Sequence, residues 1–309
     1  MTIKISSAPC CWGVDNPKNP HLPPWTRVLS EAGQAGYRGI ELGPYGYLPL
    51  DAATVAKELN KNDLKVVAGT IFDDLVAPQN LDNLLEQTHN ICALLNQLPA
   101  IESPSANKRF PAPYLVIIDW GHPERDSAAG QSSKAPRLTP EQWQTMMAHI
   151  QQIAELAWQQ YGIRSVVHPH AGGYIEFEDE IRQLVDDLSY EQVGLCLDTG
   201  HLYYSGMNPQ SWLREFAHRI DYVHFKDVDQ SKFESALARD LPFFEAVAEG
   251  VMCPIGTGVL DYPAIRQALL DIGYEGYITI EQERDPRDSD TSLRDVKASR
   301  DYLTRVGFA

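Results

Sequence analysis

Short apolar runs alternate with amphipathic stretches eight times along this chain, and few architectures accommodate that rhythm. The runs fall at 3–7, 39–42, 65–71, 114–119, 165–168, 194–198, 222–225 and 277–281. Each has the length and β-branched content of a buried parallel strand. Between and after them, helical periodicity spans 25–35, 51–61, 80–97, 140–161, 177–188, 209–217, 261–272 and 291–305. In the clearest of these, Thr139 stands at the N-cap and Pro140 at the first turn. Trp143, Met146, Met147, Ile150 and Ile153 then recur on one face before Gly162. That Met and Trp stripe reads as core packing.

Repeated strand–helix alternation implies parallel strands joined by right-handed crossovers. An open doubly wound sheet would usually carry a Gly-x-Gly-x-x-Gly turn after its first strand, and none is present. The expectation is an α/β (β/α)8 TIM barrel in one domain over 1–309, a length such barrels commonly reach. Two segments exceed ordinary loops, 99–113 with 121–137 and 228–258, and read as excursions over the barrel mouth. The second is expected to carry short helices over 233–237 and 243–248.

Four consecutive runs end on metal-competent side chains: Ser165-Val-Val-His168, Gly194-Leu-Cys-Leu-Asp198, Asp221-Tyr-Val-His224 and Tyr277-Ile-Thr-Ile-Glu281. A lone His or Asp at a strand end is usually surface or hydrogen-bonded core. Four at corresponding positions are expected to share one divalent ion, with a position left for substrate. Mixed nitrogen and oxygen donors suit Mn, Co, Zn or Fe more than Ca. His170 competes with His168, and Glu283 with Glu281, because the extended backbone carries each pair to the same side.

Near this set, His201 is expected to contact substrate, bind a second ion or cap a helix. Lys226 reads as an acid or oxyanion partner, and its neighbour Asp227 equally well as an exposed loop ion pair. Arg284 is a candidate for anchoring substrate hydroxyls or a phosphate. After the first four strands, Trp12, Glu41, Tyr45, Asp73, Asp119 and Trp120 stand at the other side of the rim. Trp12 and Tyr45 suit the walls of a sugar site, and Glu41 either substrate or a hydrogen bond within the barrel mouth.

Charge narrows the partners. With 26 Lys and Arg against 42 Asp and Glu, the net charge is −16, which repels nucleic-acid backbones and anionic membranes. The five cysteines have no CxxC spacing, and no run approaches the length of a membrane span. A reduced cytoplasm is the default compartment, and a homo-oligomer is open.

The ordered series His168-Pro-His170, Leu197-Asp198-Thr-Gly-His201, Val223-His224-Phe-Lys226-Asp227, Pro254-Ile-Gly-Thr-Gly258-Val-Leu-Asp261 and Ile280-Glu281-Gln-Glu283 resembles one known group. That group is the xylose-isomerase-like barrels of sugar isomerases and epimerases, and within them inosose (2-keto-myo-inositol) dehydratases. The resemblance begins at Gly36-Tyr-Arg-Gly-Ile-Glu41 and covers most of the chain. It implies a Mn-, Co- or similar metal held by Asp198, His224 and Glu281, with His168 where isomerases and epimerases carry Glu. In epimerases two ligand glutamates act as bases on opposite faces of the substrate. Losing one favours the dehydratase branch, with a small keto-sugar or keto-inositol as substrate.

On that reading Glu281 is the base, and Lys226, His201 or metal-bound water the proton donor. A ketose isomerase or epimerase is the alternative. An apurinic-type endonuclease would need more ligands and a basic groove, and a non-catalytic sugar-binding barrel would hold no metal.

Overall fold

A computed structural model describes residues 3–103, 105–106 and 108–308; Met1, Thr2, Pro104, Asn107 and Ala309 lie outside the described residues. Strands β1 (Ile3–Ser7), β2 (Gly39–Glu41), β3 (Lys65–Asp73), β4 (Tyr114–Asp119), β5 (Arg164–Val167), β6 (Gly194–Asp198) and β7 (Ile220–Phe225) run in chain order. After them come β8 (Asp227–Val228), β9 (Met252–Cys253) and β10 (Gly276–Ile280). The barrel closes in the order β1-β10-β7-β6-β5-β4-β3-β2, and all its pairings are parallel. Each of the eight expected strands is present, shifted by a few residues at most. β8 and β9 form a separate antiparallel ribbon that the sequence did not announce.

Strand parity sorts the side chains into two environments. Leu115, Ile117, Leu195, Leu197, Val223 and Ile278 face the surrounding helices and join the large core. Tyr114, Val116, Val166, Cys196, Tyr222 and Tyr277 fill the barrel interior. His224 and Lys226 follow Tyr222 at two-residue steps, Asp198 follows Cys196, and Glu281 follows Thr279 in the same way. The inward parity therefore carries the chemistry wherever a strand reaches the C-terminal rim.

The helix Pro140–Tyr161 has Thr139 at its N-cap as expected, in a capping box with Gln142, and Gly162 closes it in a left-handed conformation. The 228–258 segment contains helices Gln230–Ala238 and Phe243–Ala248, close to expectation. It lies over the C-terminal mouth with 121–137, and the Phe243 amide donates to Asp126 at 2.8 Å.

The 99–113 segment does not join them. It precedes β4, and in a parallel barrel the chain entering a strand stands at the opposite end. Lys108 there donates to the carbonyls of Asp221 and Glu275, near the starts of β7 and β10, at 2.6 and 2.9 Å.

Asp227 is neither exposed nor ion-paired, contrary to the loop reading. Its buried carboxylate accepts four backbone N–H groups, from Val228, Gly256, Gly258 and Leu260, at 2.8–3.1 Å. It thus fastens the return of the long excursion to the end of β7. Asp227→Ala leaves those donors unpaired and is expected to destabilise the fold by at least ~2 kcal/mol. Urea unfolding measures the loss, and limited proteolysis should show earlier cleavage within 229–258.

Candidate active site

Ligand atoms of His168, Asp198, His224 and Glu281 lie within 4.8 Å of one another at the C-terminal end of the barrel. His168 Nε2 stands 3.9 Å from both Asp198 Oδ2 and Glu281 Oε2, and His224 Nδ1 is 3.0 Å from Glu281 Oε2. Backbone placement explains the convergence. The His168 amide bonds the Ile117 carbonyl on β4, and the Glu281 amide bonds Phe225 on β7, so each sits one step past its strand.

Asp198 divides its two oxygens. Oδ1 caps the helix Thr199–Tyr204 by accepting from the Gly200 and His201 amides at 2.7 and 2.9 Å. Oδ2 faces the cluster and accepts from Lys226 Nζ at 3.0 Å. This helix meets the end of β7 closely enough that a Cβ on Gly200 would lie 2.3 Å from that of Lys226. Glycine in the Asp-Thr-Gly-His run is therefore a packing requirement.

Hydrogen bonds fix the imidazole tautomers. His168 donates from Nδ1 to the Pro169 carbonyl at 2.8 Å, leaving the Nε2 lone pair toward the acids. His224 donates from Nε2 to Glu41 Oε1 at 2.9 Å, which turns Nδ1 inward. Both inward nitrogens are buried, and that of His168 has no hydrogen-bond partner. His224 Nδ1, only 3.0 Å from a carboxylate oxygen, needs a cation beside it, a proton or a metal ion. With the His168 lone pair and the two acids it makes a donor set that fits a divalent cation of the N/O-preferring kind. Glu41, 2% exposed, is thus engaged within the barrel, where it also accepts from Tyr222 at 2.6 Å.

Lys226 bridges the acids, with Nζ 3.0 Å from Asp198 and 2.5 Å from Glu281. Burial alone would lower its pKa, but Asp198 and Glu281 outweigh that and hold it well above the usual lysine value. Burial would likewise raise Glu281, yet His224 and Lys226 hold its carboxyl well below the ordinary range. Burial, reinforced by the charges of His224 and Lys226, keeps His168 neutral. His201 is held neutral too, by burial and then by His170 and Lys226. Its Nδ1 accepts the Ala171 amide at 3.1 Å, so the proton resides on Nε2, which has no partner.

That proton makes His201 a donor rather than a second metal ligand, although it lies with His170 and Glu283 in a group of its own. His170 Nε2 is 3.6 Å from Glu283 Oε1 in this group and stands apart from the four-residue cluster. Glu283 Oε2 is buried without a partner. His170, Glu281 and Glu283 all line a hollow that opens toward the mouth.

Other rim expectations fare differently. Trp12 does not form a wall: it is fully buried, packed in the outer core, with its indole N–H donating to Glu31 at 2.6 Å. Arg284 borders the mouth, but its guanidinium is engaged with Asp295 at 3.0 Å and Thr291 at 2.8 Å. Tyr45 and Trp120 do border the mouth. Asp119 instead organises loops, accepting from the Leu75 and Tyr174 amides and from His122. Asp73 receives the side-chain amides of Asn80, Asn83 and Gln87.

Contributors of three kinds escaped the sequence reading. Tyr222 stands two residues before His224 on the same strand face, so period-two spacing could have revealed it. Phe72 and Phe244 line the hollow from the end of β3 and from the excursion helix, where no periodic signal exists. Cys11 is the third. Its buried Sγ accepts from the Gln282 amide at 3.2 Å and donates to the Ile280 carbonyl at 3.3 Å, the two residues flanking Glu281. Burial would raise this thiol, but hydrogen bonds from Cys10, Gln282 and Ser7 outweigh it and bring it to about 7. Cys11→Val strands both backbone groups and should cost ~1–3 kcal/mol in urea unfolding, whereas Cys11→Ser should keep most of that stability.

Comparison with known proteins follows the same geometry. The model of the xylose isomerase-like TIM barrel family matches residues 29–306. The rhizopine catabolism protein MocC of Rhizobium meliloti is 31% identical over 310 aligned positions, covering 100% of this chain and 90% of that protein. Inosose dehydratase of Lacticaseibacillus casei is 27% identical, over 98% of this chain and 97% of its own length. The solved structure of the IOLI protein with a bound zinc atom gives a TM-score of 0.70. That superposition covers 98% of this chain and 97% of the other at 14% identity, a likeness of fold.

Proposed function

This chain belongs to the xylose isomerase-like TIM barrel family, and within it we propose a divalent-metal-dependent lyase that removes water from a keto-inositol or related keto-sugar. One observation carries the reading: Glu281, a carboxylate held ionised on the wall of the hollow, accepts from the buried Lys226 ammonium at 2.5 Å, which pairs a base with a proton donor. Inosose dehydratases among the relatives support it. His168, Asp198, His224 and Glu281 would hold the ion, which would polarise the ketone and offset charge as the adjacent carbon loses its proton.

Glu281 takes the proton from the carbon next to the carbonyl. The electron pair left behind forms the carbon–carbon double bond as the β-hydroxyl departs, and Lys226 or His201 protonates that hydroxyl to water. His168 has one free lone pair, on Nε2, which the ion would take and whose basicity burial lowers, so it would not supply the second base that a two-base epimerase requires. Glu41, accepting from His224 Nε2, leaves Nδ1 as the nitrogen that would bind the ion. The substrate is a small neutral molecule; nucleic acid and membranes are not partners in this reading. A cytoplasmic location is part of it. Among the described residues, no helix is long and apolar enough to cross a membrane.

One feature favours a second reading. Glu283 brings another carboxylate, with an unpartnered oxygen, to the same hollow, as an isomerase or epimerase could use. Incubation with keto-inositols and ketoses in heavy water separates the two. Product lacking one water supports the lyase, and deuterium incorporation without water loss supports the alternative. Elemental analysis should find about one divalent ion per chain, and a metal-free active enzyme would sink both. Glu281→Gln is expected to lower kcat by ~10²–10⁴-fold. Glu41→Gln should weaken metal binding ~10–100-fold, read by calorimetry.

A further inference from the structure

The hollow that holds Glu281, Glu283 and His170 is only the inner part of the mouth. A second, wider cavity of about 640 Å³ begins where it ends, and the two share Asp15, Pro44, Thr70, Phe72 and Phe244 as walls. Its volume falls within the ~300–1,000 Å³ range of small-molecule sites. The outer part has none of the proposed base, donor or metal-binding side chains. It offers Tyr45 and Trp120 as aromatic faces, with Asn16, Asn19 and Gln87 as amide groups.

Phe72 and Trp120 stack there at 5.1 Å with planes 18° apart, and Phe244 meets Trp120 edge-on at 4.9 Å. Flat apolar faces beside amides match the two sides of a sugar ring, C–H surface and hydroxyls. Nothing here is built for an anion: of the charged groups bordering the cavity, Arg284 is paired with Asp295 and Asp285 with Arg287, and Asp15 is a further acid. A phosphate group would meet no free cation among these described neighbours.

We infer that the outer cavity is a subsite for a neutral glycosyl substituent, so that the preferred substrate is an O-glycosylated keto-inositol or keto-sugar. The ketone-bearing ring occupies the inner hollow, and the linked sugar stacks against Trp120 and Phe244. This inference rests on the keto-sugar chemistry proposed above. The helix Phe243–Ala248 supplies Phe244, Val247 and Ala248 to the outer wall, so the excursion sets the selectivity.

Steady-state kinetics with 2-keto-myo-inositol and its O-glucosyl derivative tests this. The glucosylated ketone should show a kcat/KM higher by about tenfold or more. Ala248 is exposed on the outer rim and does not line the inner hollow. Ala248→Trp should therefore fill the subsite and abolish that advantage, leaving the unsubstituted ketone within about twofold. A melting temperature equal to the parent's confirms that the variant is folded. Equal or poorer turnover of the glucosylated ketone by the parent would overturn the subsite, as would an undiminished preference in the variant. If neither ketone reacts, the proposed reaction fails and calorimetry with a glucosyl-inositol decides the subsite separately. Binding about tenfold weaker in Ala248→Trp sustains it, and no binding, or equal binding, removes it.

Discussion

An ammonium fully buried between two carboxylates organises the working end of this barrel. Taking such ions from water costs several kcal/mol each in real proteins, so they persist only where geometry and further hydrogen bonds compensate. Lys226 meets both conditions: it lies against Asp198 and Glu281, from β6 and the end of β10, while following β7 itself. Asp198 has its other oxygen satisfied by a helix N-terminus. The ion cluster thus ties together three neighbouring strands, and barrel closure is what makes them neighbours.

Beneath that cluster runs a polar column inside an otherwise apolar barrel. Ser6 and Thr279 join across β1 and β10 at 2.6 Å, Thr279 meets Tyr222, and Tyr222 and His224 both reach Glu41. Every member stands on the inward parity of its strand. This column transmits position rather than charge: Glu41 orients an imidazole that in turn faces the acids. Cys11 does comparable work from outside, gripping the backbone on both sides of Glu281. The side chains of the cluster are thus positioned by groups that themselves have partners.

Two excursions then shape what can enter. Asp227 fastens the return of one, and Asp126 joins it to the other through the Phe243 amide. They deliver Phe244 opposite Trp120, producing an aromatic wall beside a pocket of acids. The mouth is therefore built by segments outside the repeating barrel units, which is where barrels of one fold acquire different substrates.

Strand and helix alternation, and with it the barrel, was legible because burial on both sides of a parallel strand leaves unbroken apolar runs. The convergence of His168, Asp198, His224 and Glu281 was legible for a related reason: polar side chains at the ends of such runs have few places to point except the shared rim. His168 over His170 was not legible, since both follow the same extended backbone and only the turn at Pro169 separates their destinations. Trp12 misled, because an aromatic residue after β1 fits a cavity wall or a core equally well by composition. Its full burial against the outer helices was decided by packing. The end occupied by 99–113, the four amides around Asp227 and the thiol beside Glu281 depend on contacts between residues far apart in the chain. Periodicity reports which face of an element is buried, but partners across such separations exist only once the barrel has closed.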